Sequence, residues 1–250
     1  MGATGDKGTA AGAAPTEPEA FDFTKISPVD QKLKVKDLQE QMGQTGDEAG
    51  KYDLPQGSNK KMYVNCSKSF DINYYLTTGL VGSPQSSWTD FGGYDAEDIT
   101  QDIMKMDKGM KPLPEAIRAY KYADGAALGR MLGDSNIGNG NIQALMTVLQ
   151  NDPVAAADFT TRLQNTENTH KGYTSMSYVP QHSTYDSMPV RLDFVARQGT
   201  KAIVTNNTPE HEIIGHRDAK YEFTGKFKVE EVYSTAAGKK IKQLVIECYI

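Results

Sequence analysis

The order of the periodic segments along the chain constrains its fold more than any other feature. Up to about residue 165 the apolar residues recur at helical spacing, whereas the residues after His170 alternate between apolar and polar side chains. In the last segment, Leu244, Ile246 and Cys248 fall on one face and Glu247 falls on the other. Helices followed by a β-rich half predict an α+β domain.

The ends of the predicted helices carry specific signals. Asp95 is a suitable N-cap for the amphipathic segment 96–110 (AEDITQDIMKMDKGM). Gly79 suits the end of a helix over residues 70–80, because glycine readily adopts the left-handed conformation that closes a helix. Asp152, followed by proline, suits the start of the last helix. These signals predict at least three helices before the β-rich half.

The first quarter of the chain differs in composition from the rest. Residues 1–20 are rich in Gly, Ala, Thr and Pro, and they offer too little apolar surface to offset the entropy of ordering. Residues 21–59 keep the polar bias, and a short helix over 32–42 would have a thin apolar face. We therefore expect residues 1–60 to be disordered or loosely docked and residues 61–250 to form the folded domain.

Charge and hydropathy exclude several classes of function. The net charge of -5 and the pI near 5.4 argue against a protein that coats nucleic acid, since that role needs a dense basic face. No segment approaches the roughly 20 apolar residues that span a bilayer, and the N-terminus lacks the apolar stretch of a secretory signal. We expect no nucleic-acid partner, no membrane span, no standard signal peptide and a monomer.

The chain has two cysteines, Cys66 and Cys248, and neither belongs to a CxxC motif or a Cys/His cluster. Two cysteines allow at most one disulfide, and a structural zinc site needs more ligands than these residues provide. We interpret both as buried or half-buried thiols and expect no metal.

Three short stretches hold the candidate chemistry, and each has an ordinary explanation when it is taken alone. Arg118 lies in the predicted strand IRAYKYA, where a guanidinium can clamp a phosphate or a ribose, although a surface ion pair is the more common role. In KGYTSMS, Ser175 and Ser177 point to the same side of a strand, where hydroxyls can orient a carboxylate. An exposed strand edge can contain the same pattern of Thr and Ser residues.

The third stretch is Glu210-His211-Glu212 at the start of a predicted strand. The two carboxylates share a face, where each raises the pKa of the other. One could stabilise a cation while the other takes a proton. Alternating carboxylates are also common on solvent-facing strands.

The order and spacing of the three stretches resemble the arginine, Ser-Thr-Ser and Glu-x-Glu layout of the bacterial-toxin mono-ADP-ribosyltransferases. The flanks are similar too: DINYYLTTG resembles the first helix of that family, and the sequence around Glu212 resembles its target-recognition loop and closing strands. The resemblance covers residues 62–250. It implies an α+β fold with N-terminal helices packed on a mixed two-sheet β core.

The resemblance also implies roles for single residues. Arg118 would bind the phosphates or the nicotinamide ribose of NAD⁺, with Ala119 and Tyr173 also lining the NAD⁺ site. Ser175 would orient Glu212, which would grip the ribose 2′-hydroxyl and stabilise the oxocarbenium ion as nicotinamide leaves.

Three further expectations concern the acceptor and its surroundings. Glu210 would polarise the incoming acceptor, the loop over residues 204–209 would touch the target protein, and residues 179–189 would lie over NAD⁺. Two departures from the family pattern stand out: Met176 occupies the middle of Ser-Thr-Ser, and Ala119 replaces a frequent glycine.

The implied function is a mono-ADP-ribosyltransferase toxin or effector that cleaves NAD⁺ and modifies a target protein. Glu210 favours arginine as the acceptor, and we place actin ahead of small GTPases as the target. The N-terminal composition suits an effector that a Tc or Rhs-type toxin delivers into the cytosol of the target cell. The alternatives are an NAD⁺ glycohydrolase and a non-catalytic structural or binding protein with the same fold.

Overall fold

The computed structural model describes residues 19–44, 67–82, 95–180, 185–205 and 211–250. In this part of the chain a 3-10 turn precedes six helices: α1 Pro28–Gln41, α2 Ser67–Thr78, α3 Ala96–Gly109, α4 Gly125–Met131, α5 Ile142–Asn151 and α6 Pro153–Gln164. The same part holds nine strands: β1 Lys111–Pro112, β2 Ile117–Ala123, β3 Glu167–His170, β4 Thr174–Ser177, β5 Val190–Ala196, β6 Lys201–Val204, β7 Glu212–Gly215, β8 Ala219–Ser234 and β9 Lys239–Tyr249.

All nine strands belong to one mixed sheet in the order β1-β6-β7-β4-β2-β5-β9-β8-β3. Strands β5 and β9 run parallel, and the other neighbouring pairs run antiparallel. The two-sheet core expected from the sequence is therefore one continuous sheet among the described residues. Its two halves meet between β2 and β4, where the register gives one residue pair, Tyr120 opposite Ser177.

Two main apolar clusters cover this sheet, and a third, small one includes Val195 of β5. The larger one joins inward-facing residues of β2, β5 and β9 to α1, α4, α5 and α6, and its fully buried members include Leu128, Phe194 and Ile246. The smaller cluster packs α2 and α3 against Ile203 of β6 and Ile214 of β7. Because β7 alternates between these clusters, neighbouring side chains of β7 face opposite sides of the sheet.

Several local predictions are confirmed. Asp95 caps α3 by accepting hydrogen bonds from two backbone N–H groups, and Asp98 completes a capping box. Asp152 caps α6 ahead of its proline. Gly79 follows α2 with a φ of 74°.

Residues 19–44 are more firmly attached than their composition indicated. Helix α1 is only weakly amphipathic, yet it buries Leu38 completely, and Phe23 just before it is also completely buried. The Gln44 side chain donates to the carbonyl of Ala202 (2.9 Å) and accepts from the N–H of Val204 (3.1 Å). Gln44 thus bonds to β6 around the point where its short ladder with β1, which covers residues 201 and 202, ends.

These contacts concern residues 19–44 alone, and the expectation of a disordered or loosely docked segment over residues 1–60 as a whole stays a prediction. A docked helix normally packs through a wide apolar face. Here the Gln39 and Gln44 side chains hydrogen-bond to the backbone of β6 instead. Residues 1–18 and the expected domain boundary near residue 60 lie outside the described residues, so that boundary stays a prediction.

Within the described ranges, no helix is long and apolar enough to cross a membrane. The same ranges contain no cluster of three or more His, Cys, Asp or Glu residues that could hold a metal ion. Cys248 is a free, buried thiol, and burial raises its pKa. Cys66 lies outside the described residues.

Candidate active site

Glu212 is the first residue of β7 and is buried, with 3% of its surface exposed. It lies opposite Ser177 in the register with β4, so Ser175 is its diagonal neighbour on the same face. The Ser175 hydroxyl donates to Glu212 Oε1 at 2.5 Å. A short bond from a hydroxyl to a carboxylate oxygen is strong, and it fixes the orientation of the carboxylate.

The backbone of Glu212 is fixed as well. Its carbonyl accepts a hydrogen bond from the N–H of Thr205 at 3.1 Å and a second from the Thr205 hydroxyl at 3.2 Å. Thr205 is itself buried. The carboxylate is therefore held through both its side chain and its main chain, which is the pre-organisation that electrostatic catalysis requires.

Lys121 of β2 is the cation that the structure brings to this carboxylate. Its ammonium donates to the backbone carbonyl of Ser175 at 3.3 Å, and its charge interacts with that of Glu212. The side chain is half-buried and leaves the strand on the same face as the buried residues Ala119 and Ala123. Burial lowers the pKa of Lys121 to about 8, against the opposing effect of Glu212.

His170, the last residue of β3, is also close to Lys121. Burial, and after it the positive charge of Lys121, lower the pKa of His170 to about 4. The imidazole is stacked on the ring of Tyr221 at 5.5 Å between centroids. At neutral pH this neighbour is therefore uncharged, whereas Lys121 brings positive charge to Glu212.

Arg118 leaves the opposite face of β2 from Lys121, because three positions separate them. In the ladder Arg118 is paired with Val195, and Val195 is paired with Tyr249. The structure therefore brings Ser175 and Glu212 together with Lys121, whereas the charge of Arg118 acts on Tyr120 and Lys226.

The other residues expected to bind NAD⁺ are buried. Ala119 is fully buried in the larger apolar cluster. Tyr173 is 1% exposed, and its hydroxyl hydrogen-bonds to the Asp107 carboxylate at 2.6 Å and to the Ile103 carbonyl at 3.2 Å, both on α3. The Tyr173 side chain thus anchors the start of β4 to α3.

Glu210 and residues 206–209 of the expected target loop lie outside the described residues, as do residues 181–184 of the stretch expected to cover NAD⁺. Glu210 therefore stays a prediction. His211, between the two glutamates, is described: its φ is 51°, and its ring hydrogen-bonds to the Tyr178 hydroxyl.

Sequence reasoning missed Lys121, although the sequence contained a signal for it. In IRAYKYA the residues at 117, 119 and 123 are apolar and share one face, and Lys121 is the only charged residue at these alternating positions. A lysine on the buried face of a strand is costly unless it has anionic or carbonyl partners, so it is a candidate for function.

The site combines a buried carboxylate oriented by a hydroxyl with a half-buried ammonium nearby. Such a pair suits an enzyme that holds an anionic substrate while it stabilises positive charge developing on a neighbouring atom. The site is built where the two halves of the sheet meet, on strands from both halves.

Comparisons with known proteins identify the family. The sequence matches the ADP-ribosyltransferase exoenzyme family over residues 51–249. The chain therefore belongs to the ADP-ribosyltransferase exoenzymes, with NAD⁺ as the substrate. A search of curated proteins gave no match.

Solved structures of bacterial toxins share the fold. Plx2a, an ADP-ribosyltransferase toxin from Paenibacillus larvae, is 17% identical, with a TM-score of 0.54 over 88% of this chain and 96% of that one. An ADP-ribosyltransferase from Clostridium botulinum is 17% identical, with a TM-score of 0.57 over 93% of this chain and 99% of that one. The ADP-ribosylating toxin BECa of C. perfringens, solved with NADH, is 14% identical, with a TM-score of 0.62 over 92% of this chain and 50% of that one.

Proposed function

We propose that this chain is a mono-ADP-ribosyltransferase that cleaves NAD⁺ and transfers ADP-ribose to a side chain of a target protein. The observation that carries the proposal is the 2.5 Å hydrogen bond from Ser175 to the buried carboxylate of Glu212. Family membership identifies NAD⁺ as the substrate. The hydrogen bond indicates that Glu212 is the group that acts on NAD⁺.

The first step breaks the bond between C1′ of the nicotinamide ribose and the nicotinamide nitrogen. The bonding electrons leave with nicotinamide, which departs as a neutral molecule, and the ribose becomes an oxocarbenium ion. Glu212 accepts a hydrogen bond from the ribose 2′-hydroxyl and places negative charge beside the developing cation. Ser175 keeps the carboxylate in the required orientation.

Lys121 binds the anionic part of NAD⁺ in this proposal. A pyrophosphate needs a cation near Glu212, because the carboxylate alone would repel it. The ammonium of Lys121 meets this need, because it donates to the Ser175 carbonyl and its charge interacts with that of Glu212. The charge of Arg118, on the same strand, acts on Tyr120 and Lys226, so the contacts favour Lys121 over Arg118 for this role.

The second step forms a bond between C1′ and a nucleophilic atom of the target side chain, and the proton that this atom loses passes to Glu210. Glu210 takes the role of polarising the acceptor, and an arginine side chain is the acceptor that we favour. Actin is the first candidate for the target and a small GTPase is the second. In this proposal the chain is an effector that a Tc or Rhs-type toxin, or another carrier, delivers into the cytosol of a target cell.

The test uses NAD⁺ labelled in the adenylate half, incubated with the protein in the presence and absence of a eukaryotic lysate. A labelled protein band that disappears in Glu212→Ala is the expected result. Free labelled ADP-ribose without a labelled band would instead indicate an NAD⁺ glycohydrolase. If wild-type protein releases no nicotinamide under either condition, the enzymatic proposal is wrong.

A further inference from the structure

His211 adopts an unusual backbone conformation directly before Glu212. Among the described residues, His211 and Asp218 are the non-glycine residues with positive φ, at 51° and 59°. The left-handed region is uncommon for residues with a Cβ atom, although histidine enters it more often than most. Surrounding contacts must therefore hold His211 in this conformation.

Tyr178 holds His211 at two points. The N–H of Tyr178 donates to the His211 carbonyl at 2.8 Å, and the Tyr178 hydroxyl hydrogen-bonds to Nδ1 of His211 at 3.1 Å. The two rings also meet edge to face, with centroids 5.1 Å apart. We call these contacts between Tyr178 and His211 the clasp. Tyr178 directly follows β4, the strand that carries Ser175, so the clasp joins β4 to the residue before Glu212.

The N-terminal segment supports the clasp from the other side. The ring of Phe23 is fully buried and lies 4.5 Å from the ring of Tyr178. Phe21 packs edge-on against Phe23 at 5.1 Å and is bonded to the start of β2, where its carbonyl accepts from the N–H of Arg118 at 2.9 Å. The segment thus connects the clasp to the strand that carries Lys121.

We propose that Tyr178, acting through His211, is a positioning residue that sets the orientation of the Glu212 carboxylate for NAD⁺ cleavage. This inference rests on the proposed function. The clasp fixes the backbone at the entry to β7, and the Glu212 side chain starts from that backbone. Burial lowers the pKa of His211, which keeps the ring neutral and able to accept a hydrogen bond from the Tyr178 hydroxyl at Nδ1.

The test compares the rate of nicotinamide release in Tyr178→Phe, His211→Gly and wild type. Tyr178→Phe keeps the ring packing on Phe23 and removes the hydroxyl. His211→Gly removes the imidazole and relieves the left-handed strain, because glycine adopts positive φ freely. Tyr233→Phe is the matched control, since Tyr233 is 57% exposed on β8.

Both site variants are expected to lower kcat, with little change in the KM for NAD⁺. A misplacement of about 1 Å can cost about a hundredfold in rate, so a loss of about tenfold or more is expected. The melting temperature of His211→Gly should equal or exceed that of wild type, so the loss of rate would not follow from unfolding. In a Glu212→Ala background, Tyr178→Phe should cause no further loss, because the group that it positions is gone.

Wild-type kcat in either site variant would overturn the inference, as would a further drop caused by Tyr178→Phe in the Glu212→Ala background. A melting temperature of His211→Gly well below that of wild type would also overturn it, because the residue would then act through stability. Failure of the proposed function has a different signature, since wild-type protein itself would release no nicotinamide.

Discussion

Lys121 should make the capture of NAD⁺ depend on pH between about 7 and 9. With a pKa of about 8, the ammonium is about nine-tenths charged at pH 7 and about one-tenth charged at pH 9. The phosphates of NAD⁺ stay anionic over this range, so the attraction is lost as pH rises. Because kcat/KM reports the ionisation of the free enzyme, kcat/KM for NAD⁺ should fall by up to about tenfold from pH 7 to pH 9.

Lys121→Arg tests the origin of this profile. Arginine stays protonated throughout the range, so the variant should bind NAD⁺ with a nearly flat profile between pH 7 and pH 9. Lys121→Met should raise KM at pH 7 and also flatten the profile. The assay is the initial rate of nicotinamide release, measured over a range of NAD⁺ concentrations at each pH.

Arg118→Met is the matched control, since it removes a cation from the opposite face of the same strand. It should leave the shape of the profile unchanged and affect KM much less than Lys121→Met does. The reasoning is refuted if Lys121→Arg keeps the wild-type decline between pH 7 and pH 9. It is equally refuted if Arg118→Met raises KM more than Lys121→Met does.

Stability should change with pH in the opposite direction from activity. The pKa of Lys121 is lower in the folded protein than in the unfolded chain, so the charged form costs folding free energy below about pH 8. That cost falls as pH rises from about 8 towards 10.5, the ordinary value of a lysine. The melting temperature of wild type relative to Lys121→Met should therefore rise over this range, while kcat/KM falls.

Three other outcomes are expected. Ser175→Ala should lower kcat by about tenfold to a hundredfold with a small change in KM, because the 2.5 Å bond that orients Glu212 is lost; an unchanged rate of nicotinamide release would contradict this. Leu38→Ala should lower the free energy of unfolding by about 2–5 kcal/mol, measured by urea denaturation, because the side chain is fully buried; a loss below about 1 kcal/mol would show that α1 is loosely docked. Glu210→Ala should keep NAD⁺ hydrolysis and lose transfer, and equal loss of both activities in the labelled NAD⁺ assay would contradict the separate roles of the two glutamates.

The fold class could be predicted from the sequence because it depends on local patterns, whereas the pairing of Ser175 with Glu212 was expected only from the family resemblance. A period of two in the second half predicts strands, and alternating hydroxyls or carboxylates share a strand face. The register that brings Ser175 next to Glu212 depends on how β4 and β7 pair. That register is a long-range property, and the family resemblance indicated it where the pattern alone could not.

The attachment of α1 could not be predicted by the same rules. Those rules look for a broad apolar face, and α1 has little of one. Its docking relies on Leu38 together with side-chain hydrogen bonds from Gln39 and Gln44 to the backbone of β6. In the sequence, a glutamine that hydrogen-bonds to a strand backbone cannot be told from a solvent-exposed glutamine. Only the three-dimensional structure distinguishes the two.

The two cations of strand IRAYKYA show why sequence reasoning alone could not choose between them. An arginine is the better phosphate clamp, so residue type alone favours Arg118 over its neighbour Lys121 in strand IRAYKYA. The choice depends instead on which side chain contacts the site, and the charge of Arg118 acts on Tyr120 and Lys226. Lys121 reaches the Ser175 carbonyl beside Glu212. A lysine at position 121 carries the positive charge that an anionic substrate requires. Burial lowers its pKa to about 8, so this charge is lost at mildly alkaline pH, whereas an arginine would keep its charge.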